Sequence, residues 1–243
     1  MSAEKPSLQD APPVLPSERG EPQDAAAPAA AEQPHGVAEQ PHGLGEPQDP
    51  VEVEGAEDAP TVAELDPETR ARRDAALALV RKFGDPVLRA TALPVERFDE
   101  RLQEEARRMG ELMQDAFGIG LAATQLGVLH RMLVYKAFEE DPLTALVNPI
   151  VRWTSDELEV AEEGCLSLPG VHVEVERPMS VRVSAHDAAG EPLEIEAEGL
   201  RARVIQHEID HLDGVLILDR ISRQARKEAM RAMREAREGA NGA

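Results

Sequence analysis

The run Gln206-His207-Glu208-Ile209-Asp210-His211 constrains this chain more than any other segment. Histidines four residues apart share one face of an α-helix, where two imidazole nitrogens can converge on a single ion. Leu200 and Val204 precede them at helical spacing, so the histidines continue an apolar stripe directed into the protein. A helix supplies only two such ligands, and a catalytic ion with an open position takes a third from elsewhere. The fold must therefore carry a second segment to this helix. The chain's single cysteine, in Glu163-Gly164-Cys165-Leu166-Ser167, is the natural donor. The structural alternative is a helix with two satisfied core histidines and a small buried cysteine.

Charge divides the 243 residues unevenly. Residues 1–69 carry 16 acidic residues against Lys5 and Arg19, net −14; the remainder carries 31 against 24, net −7, for a total of −21. The first part is rich in Pro, Ala and Glu and has no aromatic residue, too little apolar surface to offset chain entropy. The expected organisation is a disordered acidic extension over 1–73 and one catalytic domain over 74–243. Short echoes, Glu-Gln-Pro-His-Gly at 32–36 and again at 39–43, are too few for a repeat fold, and His35 and His42 read as solvated loop histidines. No secretory signal, transit peptide or bilayer-spanning segment is recognisable. One cysteine allows no internal disulfide, which fits a cytoplasmic protein. Neither DNA nor a membrane is expected as a partner.

Patterning within the domain predicts an irregular stretch over 80–92 and a helix over 99–116, stopping at Gly118, with Leu102, Met109, Leu112 and Met113 on its apolar stripe. Strands are expected at 132–135 and 145–147, with a turn at Asn148-Pro149, then antiparallel strands carrying Val171, Val173 and Val175, Val181 and Val183, and Leu193, Ile195 and Ala197. The histidine helix should span about 199–211, a short strand 215–218, and a basic helix about 222–238. The class is α+β: antiparallel strands packed around a central metal-binding helix, with a C-terminal helix.

Gly118-Ile119-Gly120-Leu121-Ala122-Ala123-Thr124-Gln125 reads as a loop whose glycines admit close backbone approach and whose Gln125 brings an amide donor. It follows a helix and lacks a third glycine, so it is not a dinucleotide loop. This segment, the cysteine segment and the histidine helix, in this order, resemble the peptide deformylases. Similarity runs from about Val80 to Ser222 and takes in Phe83-Gly84-Asp85-Pro86-Val87-Leu88-Arg89, Asn148-Pro149, Leu168-Pro169-Gly170 and Leu212-Asp213-Gly214. The resemblance implies hydrolytic removal of the N-formyl group from formylmethionyl nascent polypeptides.

It further implies one divalent ion held by Cys165, His207 and His211, with Fe²⁺ native and Zn²⁺, Ni²⁺ or Co²⁺ as alternatives. Glu208 would be the general base and acid, and the Gln125 side chain and Leu166 N–H the donors to the oxyanion. Gly118, Ile119, Gly120, Leu200 and Val204 would bind substrate, with Arg203 at the rim. Glu163, Gln206 and Asp210 are polar groups next to ligands, and the spacing does not say which histidine each serves. A zinc endopeptidase is the rival reading, with Glu228 or Glu235 as downstream ligand. Residues 220–237 hold seven bases and two acids, net +5, so the last helix is also expected to dock on ribosomal RNA.

Overall fold

Asp66-Pro67-Glu68 is a helix start: Asp66 accepts from the N–H groups of Glu68 and Thr69, and Pro67 occupies the first turn, where its missing N–H costs nothing. The computed structural model describes residues 65–241, with side chains to 235. In chain order it contains α1 (Pro67–Leu79), α2 (Glu100–Asp115), β1 (Gly120–Ala122), β2 (Met132–Tyr135), β3 (Thr144–Thr154), β4 (Leu158–Gly164), β5 (His172–Pro178), β6 (Ser180–His186), β7 (Pro192–Glu198), α3 (Gly199–Leu212) and α4 (Arg223–Asn241). The helix α1 crosses the expected boundary at 73/74. The expected disorder of residues 1–64, and His35 and His42, lie outside the described residues.

Five strands form an antiparallel sheet in the order β1-β2-β3-β6-β7, and β4 and β5 form a separate two-stranded ribbon. The sheet is covered on both faces, which is why β2 is buried throughout rather than alternating. Met132 and Val134 face α2, packing with Met109, Met113 and Leu121; Leu133 and Tyr135 join Ile205, Ile209 and Leu212 of α3. The antiparallel sheet wrapped on α3 is the architecture expected from the sequence. A third cluster holds Val171 and Val175 beside Ile217, Leu218 and Ala229 of α4.

Three local expectations need correction. Asn148-Pro149 is not a turn: β3 runs through it, with a register shift against β6 between Val147 and Ile150. Asn148 adopts a left-handed φ of 54°; its Oδ1 accepts from Val95 N at 2.8 Å and its Nδ2 donates to Val95 O at 2.9 Å. Residues 215–218 form no strand; Ile217–Asp219 is a 3-10 turn in which Asp219 accepts from Leu216 N. The loop after Gly118 is β1 followed by a 3-10 turn at Ala123–Leu126. β4 was not foreseen, because its Leu158 and Val160 are exposed and its other residues are largely glutamates.

Asn148→Ala removes both bonds to Val95 and leaves an alanine in a left-handed conformation, so it should lower stability by about 2–3 kcal/mol. Urea unfolding, with an unchanged slope, checks this.

Candidate metal centre

The two histidines sit in the second half of α3, with ring centroids 5.0 Å apart. Cys165 follows directly on β4, so the ribbon delivers the thiol to the helix. Its Sγ lies 3.2 Å from His211 Nε2, and ligand atoms of Cys165, His207 and His211 all fall within 4.8 Å of one another. This is the only such grouping of His, Cys, Asp and Glu among the described residues. Glu228 and Glu235, the ligands an endopeptidase would need, instead pair with Gln224 and Arg231 on α4.

Charge prepares the donors. Burial would push the Cys165 thiol up, but the adjacent His211 and His207 outweigh it and hold the thiol well below its ordinary range. His207 is conversely held well above its usual value, against burial, by Cys165 and Glu163. Glu208 is raised by burial, and its Oε2 is buried without a protein partner. A thiolate, two imidazoles and an unpartnered carboxylate oxygen beside them suit a divalent ion of borderline softness with an open position.

The groups around the ligands differ in part from expectation. Glu163 Oε2 contacts His207 Nδ1 at 2.9 Å, the orienting bond foreseen for one of the histidines. His211 Nδ1 has no partner among the described residues. Gln206 turns away, donating to Pro178 O and Ala202 O, because it lies about 100° around α3 from His207. Asp210 touches neither imidazole and binds Arg177 and Arg220. Arg203 is not a rim residue: it is buried, donating to Glu163, Val175 O and Glu159.

Arg177 was missed. It bridges Glu163, at 2.6 and 2.9 Å, to Asp210 at 2.9 Å, and is only 3% exposed. The clue in the sequence is its parity: Arg177 continues the inward positions Val173 and Val175 of β5, where an arginine needs buried carboxylates. Burial would raise Glu163, but bonds from His207 and Arg177 bring it from 4.5 down to about 2.

β1 and the turn after it complete the site. A Cβ on Gly120 would lie 2.8 Å from Glu208 Cγ and closer still to Oε1, so only glycine lets the carboxylate lie against the strand. On Gly118 a Cβ would meet Leu166 Cδ1 at 2.9 Å. Gln125 is buried; its Oε1 accepts from Ala122 N at 2.8 Å, and its Nε2 reaches Ser167 Oγ at 3.3 Å and lies 3.8 Å from Cys165 Sγ. Leu166 O accepts from Lys82 Nζ at 3.0 Å. These groups open into a pocket of about 560 Å³ whose walls include Ile119, Leu200 and Val204, and also Arg73 and Leu77 of α1. Ile119 and Leu200 are 43% and 39% exposed, whereas Val204 is buried.

Cysteine and two histidines converging beside a buried glutamate, at the base of an open apolar pocket, define a hydrolytic metal site. The family model for polypeptide deformylase matches residues 77–227. This chain belongs to the polypeptide deformylase family and is a hydrolase of that kind. It is 48% identical over 146 residues to the peptide deformylase of Thermosynechococcus vestitus, covering 59% of this chain and 78% of that protein. To that of Brucella suis biovar 1 it is 50% identical over 145 residues, covering 58% and 83%. The crystal structure of a peptide deformylase from Legionella pneumophila superposes with a TM-score of 0.63 at 39% identity, covering 67% of this chain and 96% of that one.

Replacing Arg177 by methionine takes a shared buried cation from Glu163 and Asp210, leaving them Arg203 and Arg220 respectively, and should cost about 3 kcal/mol. Arg177→Lys should recover little of it, since an ammonium cannot make the two-pronged contact; thermal and urea unfolding of both variants decide.

Proposed function

We propose that this chain hydrolyses the formyl amide of N-terminal formylmethionine on new polypeptides, releasing formate and a free amine. The observation that carries the reading is the unpartnered Glu208 Oε2 beside the Cys165, His207 and His211 cluster. Those three residues would hold the ion, with Glu163 fixing the orientation of the His207 ring through Nδ1. A divalent ion bound there supplies Lewis acidity, which makes water ionisable near neutral pH.

Glu208 takes the proton of the attacking water and passes it to the departing nitrogen. Its raised pKa suits both halves of that task, because a carboxyl poised nearer neutrality can accept and return a proton. Gln125 Nε2 and the Leu166 N–H donate to the oxygen on which negative charge develops. The bond from Ala122 N to Gln125 Oε1 fixes which end of the amide faces the site. Ile119, Leu200 and Val204 hold the methionine side chain, while Gly118 and Gly120 leave the backbone edge open to the peptide. Fe²⁺ is the proposed native ion, and the cytoplasm the place of action. Docking on ribosomal RNA through α4 rests on the basic excess of its sequence.

Formate release from a formyl-methionyl peptide, by protein purified without oxygen, tests the reading. Glu208→Ala should lower kcat by about 10²–10⁴-fold with the protein still folded; an active Glu208→Ala variant would remove Glu208 from the chemistry. Reconstitution of the stripped protein should restore a higher kcat with Fe²⁺ than with Zn²⁺; equal rates would leave the choice of iron without support.

A further inference from the structure

Part of the pocket wall lies outside the family match. The match begins at residue 77, so Leu77 is its first residue, whereas Arg73, one helical turn earlier on α1, precedes it; both line the pocket. Leu77 adds apolar surface. Arg73 adds a cation whose position differs from every other charge in that wall.

The other charged groups lining the pocket are engaged. Glu163 is held by Arg177 and Arg203, and the Arg203 guanidinium is spent on Glu163, Glu159 and Val175 O. Glu162 pairs with His172 at 3.3 Å, and Glu208 belongs to the reaction. Among the described residues Arg73 Nε is buried with no hydrogen-bond partner, and the Arg73 ion pair with Asp74, at 3.9 Å, is beyond hydrogen-bonding reach. A guanidinium held this way retains most of its capacity for a carboxylate.

Its orientation is set from the site side. α2 ends with Phe117 in a left-handed conformation, φ 57°, while Gly118 N donates to Met113 O. That uncommon conformation for a bulky residue leaves the Phe117 ring 55% exposed at the pocket wall, under the Arg73 guanidinium, 5.9 Å from centroid to Cζ. The ring holds the cation over the pocket without using its N–H groups.

We propose that Arg73 is a specificity-determining residue, selecting formyl-methionyl chains that carry an acidic side chain in the residues just after methionine. This rests on the deformylase reading, and its test is kept separate from turnover. The full-length Glu208→Gln protein provides a non-cleaving background for binding two labelled peptides, formyl-Met-Asp and formyl-Met-Lys with otherwise identical sequences. The ratio of their Kd values should shift about tenfold against the aspartyl peptide in Arg73→Ala. It should shift further, favouring the lysyl peptide, in Arg73→Glu, and Arg73→Lys should keep part of the original preference. Because the readout is a ratio within each variant, a general loosening of α1 would weaken both peptides and leave the ratio unmoved. An unmoved ratio in both Arg73→Ala and Arg73→Glu overturns the proposal. Turnover of formyl-Met-Ala by the wild-type protein tests the underlying activity independently.

Discussion

The ribbon β4–β5 shares no ladder with the five-stranded sheet, yet it must deliver Cys165 to α3 within coordination reach of two imidazoles. A buried cluster of charges does this. Glu163 on β4 meets Arg177 on β5 and Arg203 on α3, and Arg177 continues to Asp210 on α3. Such pairs add little net stability over well-packed apolar side chains, but each fixes relative position, because an unmatched buried charge is expensive. The cysteine lies two residues beyond Glu163 and His207 contacts it directly, so the cluster places ligands from two elements at once.

Much of this was readable because the chemistry is local. The histidine helix, the cysteine segment and α2 carry their own periodicity or spacing, and the structure finds each near where the pattern put it. The pattern fails where tertiary partners decide. Asn148-Pro149 carries a turn signature, but Asn148 uses its amide to pair with Val95 and lets β3 continue. Gln206 and Asp210 adjoin ligands in sequence and point elsewhere in space, since neighbours on a helix diverge by about 100°. Arg177 lies far from the motif along the chain, and only its inward parity on β5 marked it. The start of α1 was legible in Asp66-Pro67, but the surrounding acidic composition concealed it.

The sheet contributes to the site mainly by being thin at one point. Gly120 on edge strand β1 lets Glu208 lie against the backbone, and the bond from Ala122 N to Gln125 fixes the amide three residues past the strand. α2 covers one face and α3 the other, so the position of Glu208 is tied to a strand whose far side is packed by Met113. A deformylase of this build holds Glu208 and both histidines on one seated helix and leaves the apolar wall of Ile119 and Leu200 half open.

The arginine cluster beneath the ligands also bears on how the protein acquires its ion. In small zinc modules the ion itself organises the chain, and stripping it unfolds them. Here Glu163 already orients one imidazole, and the helix that carries both is seated by Ile205, Ile209 and Leu212 on the sheet. An ion taken up here would join a finished scaffold, so its removal would leave a folded apoprotein ready to be recharged.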